Sequence, residues 1–155
     1  MTNSGGLVSI SVVKKLREQT GAGVMACRQV LEKTQGDFDQ ALEELTKGHQ
    51  EIAAKKADRE TSQGKVFAYV HGDGKIGALV ALSCETDFVA RTGDFADLGK
   101  ELAMQVVAMN PANSKELLTQ NYIRDPEILV EDLLSKMIAK TGENIRVKDI
   151  YRLEI

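Results

Sequence analysis

Apolar residues follow a helical spacing through the first third of the chain and switch to a period of two beyond it. Val12, Val13 and Leu16 recur at helical intervals before Thr20-Gly21-Ala22-Gly23, whose glycines end one helix and allow an abrupt change of direction. A second helix is predicted from near Val24, with Val24, Cys27, Val30 and Leu31 on a common face, until Gly36 interrupts it. Asp37 is placed to N-cap a third helix bearing Phe38, Ala41, Leu42 and Leu45, because its carboxylate can accept the unpaired N–H groups of the first turn. Such a module buries little by itself, so its exposed apolar residues are expected to serve contacts. From Gln50 to Ser62 the composition becomes rich in Ala, Lys and Glu, as in a solvated helical connector. Ala53-Ala54-Lys55-Lys56 is read as part of that helix with its lysines in water, in preference to a nucleic-acid contact.

Lys65 to His71 and Ile76 to Cys84 are strand-like runs around Gly72-Asp73-Gly74, where Asp-Gly signals a tight hairpin turn. With Asp73 and Gly74 at the centre, His71 pairs with Ile76, Tyr69 with Ala78, and Phe67 with Val80. Both faces of this hairpin are largely apolar, which predicts helices over it. After a short loop at Glu85 to Arg91, Asp94 is expected to cap a helix carrying Phe95, Leu98, Leu102, Val106 and Met109, ended by Asn110-Pro111. Asp125-Pro126 reads as N-cap followed by a first-turn proline, for a helix through Leu129, Leu133 and Met137 that stops at Gly142. In the final strand Ile145, Val147, Tyr151, Leu153 and Ile155 are expected on one side, with Arg146, Lys148, Arg152 and Glu154 opposite. The fold class is α+β: a small three-helix domain followed by an antiparallel sheet packed with helices. The expected division is a disordered lead over residues 1–6, the helical domain over 7–49, the connector over 50–63 and the core domain over 64–155.

Composition narrows the function classes. The 155 residues are 43% hydrophobic with 2 prolines, as in a compact globular protein. The net charge of -3, with 20 basic residues mixed among 23 acidic ones, gives no broad positive field for nucleic acid or an anionic membrane. A protein partner fits this balance. Cys27 and Cys84 have neither zinc-site nor disulfide-framework spacing, which points to a reducing compartment, and with only His49 and His71 beside them a structural metal is not expected. The first residues show no basic segment followed by an apolar core, and no stretch is long and apolar enough to span a bilayer, so a soluble protein is expected.

Three candidate chemistries weaken on inspection. A nucleophilic Cys84 with His71 as base fails because the hairpin register sets them about eight residues apart, roughly 25 Å at ~3.3 Å per residue. Cys84 and Cys27 read instead as small apolar core residues. Gly21-Ala22-Gly23 lacks the following Gly-Lys-Ser or Gly-Lys-Thr and the preceding strand of a phosphate loop. Glu85, Asp87 and Asp94 match no cation-binding loop. What stands out is Thr86-Asp87-Phe88-Val89, a polar pair and then two large apolar residues in a short strand-to-helix connection. Either Phe88 and Val89 fold back onto the core, or they form an exposed anchor whose burial by a partner is worth about 1.5–3 kcal/mol.

Cys84-Glu85-Thr86-Asp87-Phe88-Val89-Ala90-Arg91 and Leu16-Arg17-Glu18-Gln19-Thr20-Gly21-Ala22-Gly23-Val24-Met25 resemble, in order, the two signatures of the elongation factor Ts family. Gly36-Asp37, Ala53-Ala54-Lys55-Lys56-Ala57 and Gly142-Glu143-Asn144-Ile145 match as well, so the resemblance spans most of the chain. It implies a ubiquitin-associated-like helical domain, no cofactor and no catalysis of its own. The partner it implies is elongation factor Tu: Arg17, Val24 and Met25 dock on the partner's G domain, while Asp87 and Phe88, within Thr86 to Val89, wedge between its helices. That wedge disturbs the magnesium and phosphate-binding region and releases GDP.

The chain departs from the family pattern at Val24, Ala26, Val30 and Lys148-Asp149. It also largely lacks the helical stretch usual around Asn110 to Val130. Short members of the family can form dimers through the core, so a homodimer is a second implied partner. The bacterial cytoplasm is the implied compartment, or an organelle if a targeting segment has been removed. The alternative from another class is a helical adaptor that binds some other protein through its N-terminal module alone.

Overall fold

The structure is a computed structural model that describes residues 8–155, so the expected lead over 1–6 lies outside the described residues. Three helices open it: α1 (Ile10–Thr20), α2 (Val24–Lys33) and α3 (Phe38–Lys56). Gly21, with φ of 69°, ends α1 by returning its N–H to Arg17 O at 2.7 Å. Asp37 caps α3 as expected, its carboxylate accepting from the Gln40 N–H at 3.0 Å. Val13, Leu16, Cys27, Leu31 and Ala41 form a small core among the three helices. Val24 departs from the common face expected for α2: it is exposed, while Cys27 and Leu31 alone carry the fully buried stripe. The second half of α3 occupies the expected connector as far as Lys56 and packs on the later helix α7 (Val130–Thr141), where Gln50 Nε2 meets Asp132 at 2.7 Å.

The sheet is antiparallel, in the order β1 (Gln63–His71), β2 (Ile76–Cys84), β5 (Ile145–Glu154). The hairpin register is the one Asp-Gly implied: His71 opposite Ile76, Phe67 opposite Val80, Gln63 opposite Cys84. The turn itself closes from Gly74 N–H to His71 O at 3.1 Å, so Gly72 and Asp73, and not Asp73 and Gly74, sit at its centre. One face is covered by α5 (Gly93–Met109), whose Phe95, Leu98, Leu102 and Val106 bury themselves against Val80 and Leu82. At the crossing Gly99 lets the helix backbone approach closely, because a Cβ there would lie 2.0 Å from the Phe67 ring. That ring in turn stacks at a tilt on Phe95, with 5.8 Å between centroids.

The other face is open, against the expectation of helices on both. Val66, Val70, Leu79, Tyr151 and Leu153 all lie exposed on it. Part of this comes from a bulge: Val147 faces Leu82 and Asp149 faces Ala81, leaving Lys148 as an extra residue. An extra residue reverses the side-chain parity. Ile145 and Val147 therefore point to the core, but so do Ile150 and Arg152, while Tyr151 and Leu153 point outward. The single alternation expected along this strand is thus two half-strands of opposite phase.

Two helix starts also differ from expectation. Thr92, and not Asp94, caps α5, its hydroxyl accepting from the Phe95 N–H at 3.2 Å. Asp94 instead lies in the first turn and pairs with Lys140 of α7 at 2.6 Å. Asp125-Pro126 opens a strand rather than a helix. After α6 (Ser114–Thr119), β3 (Asn121–Tyr122) pairs with β4 (Asp125–Leu129), and α7 begins only at Val130. The buried Gln105 of α5 explains why: its amide donates to Asn121 O at 3.0 Å and accepts from Ile123 N–H at 2.9 Å. A buried amide without partners would cost about 1–3 kcal/mol, which outweighs a local preference for helix. The α7 start is capped by Asp132, accepting from Leu129 N–H at 2.9 Å.

Candidate functional site

Glu85 to Arg91, expected as a short loop, holds one turn of helix. Thr86 caps α4 (Asp87–Ala90), its hydroxyl accepting from the Val89 N–H at 3.4 Å. Ala90 is buried, Val89 packs partly against the main core, and Cys84 below donates its thiol to Thr86 O at 3.1 Å. With the two residues after it anchored inward, the short helix turns Phe88 away from the protein at 83% exposure. Asp87 pairs with Arg91 at 2.9 Å across one helical turn in open solvent, a contact of only about 0.3–0.5 kcal/mol that a partner can replace. An apolar ring held out on a fixed turn, with a carboxylate beside it, is equipped to enter a pocket in another protein.

Val24 and Met25 stand on the first turn of α2, 51% and 64% exposed. The corner before them is fixed by Thr20, whose hydroxyl donates to Leu16 O at 2.7 Å and accepts from Ala22 N–H at 3.2 Å. Arg17 is exposed on α1. Arg17, Val24 and Met25 belong to the helical module, whereas Thr86 to Val89 belong to the sheet domain. The expected site residues are therefore divided between the two modules.

The register sets Cys84 and His71 at opposite ends of the hairpin. Burial, with Glu143 nearby, pushes the Cys84 thiol up from its ordinary range, away from the thiolate a nucleophile needs. Among the described residues no group of three His, Cys, Asp or Glu side chains could hold a metal ion, and no helix is long and apolar enough to cross a membrane.

Sequence reasoning missed the support beneath the Phe88 corner. Glu143, in the turn after α7, accepts from Glu85 N–H at 3.2 Å, Thr86 N–H at 3.0 Å and the Thr86 hydroxyl at 2.5 Å. Gly142, with φ of 75°, makes that turn possible. A polar turn after a glycine stop was visible in the sequence, but nothing local tells which distant backbone it serves.

A family profile described as "Elongation factor TS" matches residues 85–155. The chain is 38% identical over 193 aligned positions to "Elongation factor Ts" of Fervidobacterium nodosum, covering 96% of this chain and 98% of the relative. It is 40% identical over 191 positions to that of Thermotoga neapolitana, covering 96% and 97%, and 39% identical over 193 positions to that of Caldanaerobacter subterraneus, covering 96% of each. These alignments are longer than the 155 residues here, so the relatives carry stretches without a counterpart in this chain. Likeness at this level over nearly the whole length, with the exposed corner inside the profile match, means that the chain belongs to the elongation factor Ts family of translation elongation factors.

Proposed function

We propose that this protein binds elongation factor Tu and acts on it as a guanine-nucleotide exchange factor, promoting release of GDP. The observation that carries this reading is Phe88, 83% exposed on a turn whose next two residues, Val89 and Ala90, are anchored in the core. Phe88 and Asp87 enter between helices of the GTPase near its nucleotide and disturb the magnesium and phosphate-binding region, while Arg17, Val24 and Met25 dock on the G domain. No covalent bond is made or broken. The chain works by binding the nucleotide-free partner more tightly than the GDP-bound one, and by linkage bound GDP weakens its own grip by the same factor. Burying the Phe88 ring supplies about 1.5–3 kcal/mol, roughly a 10- to 150-fold preference if the pocket exists only without nucleotide. The compartment that goes with this role is the cytoplasm of a bacterium.

The test is stopped-flow release of a fluorescent GDP analogue from elongation factor Tu. The wild-type protein is expected to accelerate release, and Phe88→Ala to lose at least tenfold of that acceleration. No acceleration by a folded wild-type protein would refute the exchange role. A second copy of the chain is the further partner we propose, and the open apolar face of the sheet supports it.

A further inference from the structure

Glu143 and Asn144 sit where three parts of the chain meet. Glu143 takes the three hydrogen bonds from Glu85 and Thr86 described above, and Glu85 returns one, its carboxylate accepting from Asn144 N–H at 2.6 Å. Asn144 is buried, and both amide hydrogens of its side chain are used, on Ala57 O at 3.3 Å and Arg59 O at 2.7 Å. Those carbonyls lie just past the end of α3, the helix that begins in the N-terminal module. Arg59 closes the circle by pairing with Glu85 at 3.5 Å. Thus a single turn after α7 grips both the Phe88 corner and the tail of the helix that carries the docking module.

Thr86 has two jobs in this arrangement. Its hydroxyl accepts from the Val89 N–H, which caps α4, and its hydrogen is spent on Glu143. The carboxylate therefore fixes the hydroxyl rotamer and the backbone at the root of the short helix, and the bearing of the Phe88 ring follows from both. A four-residue helix has too few internal hydrogen bonds to hold that bearing alone. An interaction site needs its anchor placed to within about 0.5 Å, and misplacement by about 1 Å can cost 10²-fold in rate.

We infer that Glu143 is a positioning residue for nucleotide exchange, holding the Asp87-Phe88 corner at a fixed bearing to the N-terminal docking module, with Asn144 fixing the module's side of the joint. This rests on the exchange reading above. Glu143 acts through Thr86. Its removal should lower the maximal rate of GDP release at saturating exchange factor by about tenfold. The concentration for half-saturation, set also by Met25 of the helical module, should move less than the rate.

The experiment is a double-mutant cycle in stopped-flow GDP release from elongation factor Tu, with Glu143→Ala, Phe88→Ala and the pair, each checked by thermal melting. Because Glu143 works through Phe88, its loss is expected to have little further effect once the ring is gone. Glu143→Gln keeps an oxygen for the two backbone N–H groups, while its amide N–H can donate to the free lone pair of the Thr86 hydroxyl in place of accepting from it, and should restore the rate to within about threefold of wild type. If Glu143→Ala melts early, Glu143→Asp takes its place, since its shorter side chain keeps the charge but cannot reach Thr86 unless the corner shifts. A folded Glu143→Ala or Glu143→Asp variant with an unchanged maximal rate overturns the inference while leaving the exchange role standing, provided Phe88→Ala is impaired. Full additivity of the two substitutions overturns it as well. A wild-type protein that does not accelerate release would remove both readings.

Discussion

Phe88 and Val89 are neighbours of similar character with opposite surroundings, and the difference is a matter of which way a four-residue helix turns. Val89 touches the core beside Ala90, while Phe88 is surrounded by solvent. Truncation of a buried phenylalanine costs about 3–5 kcal/mol, whereas a change on an exposed surface stays within about 0.5 kcal/mol. Phe88→Ala is therefore expected to melt within a degree or two of wild type, a comparison that calorimetry of the free protein makes directly. His49 behaves differently. It lines the groove between α3 and α7, where burial, and then the charge of Lys136, hold its pKa below the ordinary 6.5. Lys136 is itself lowered, first by burial and then by Lys140, and donates to Gln19 O at 2.6 Å. A histidine with a depressed folded pKa contributes stability that is complete above its ordinary value and drains away as pH falls through the folded value. The melting temperature of wild type relative to His49→Gln should thus fall between pH 7 and pH 5. A constant difference across that range would show that His49 does not titrate in this setting.

At the scale of elements, the helix α5 and the hairpin meet through a missing side chain. A Cβ on Gly99 would overlap Phe67 ring atoms at 2.0 to 2.4 Å, where Phe95, one turn earlier on the same helix, already packs on that ring at 5.8 Å between centroids. Gly99→Ala is expected to destabilise by about 1–3 kcal/mol despite the better helix propensity of alanine, as denaturant unfolding would register. Paired Gly99→Ala and Phe67→Leu should recover part of the loss. The elements that the sequence announced were those with local chemistry: the Asp37 cap, the Gly21 and Gly142 stops, and the Asp-Gly hairpin with its register. Those it concealed depend on distant partners. Asp125-Pro126 has the local look of a helix start, yet Gln105 and Asn121 recruit that stretch into β4 and the turn before it. The bulge at Lys148 leaves no mark in the alternation of β5 until Arg152 is seen donating to Val107 O at 3.1 Å on the core side. Likewise the exposure of Phe88 was one of two open readings in the sequence, because it is decided by the packing of Val89 and Ala90 on a core built from distant elements.

At the scale of the whole molecule, the sheet has one face closed by α5 and one open, and the open face sets the expected assembly. Three strands ~4.8 Å apart and about nine residues long at ~3.3 Å each present roughly 14 by 30 Å, or about 400 Å² per copy. Two such faces together bury on the order of 800 to 900 Å², below the ~1,200 Å² at which stable interfaces begin. The apolar character of Val66, Val70, Leu79, Tyr151 and Leu153 favours association, and the modest area limits it. A homodimer through this face should therefore be reversible, with a Kd in the micromolar range, and should dissociate on dilution. Leu79 lies at the centre of the face on the middle strand and is already 46% exposed, so Leu79→Lys can keep its charge in water in the monomer but must bury it in the dimer. Sedimentation velocity from about 1 to 100 µM should show wild type shifting from monomer to dimer. Over the same range Leu79→Lys should remain monomeric, with an unchanged melting temperature at the lowest concentration. A wild-type protein that is monomeric at every concentration, or a Leu79→Lys variant that dimerises equally well, would rule out this face as the contact between copies.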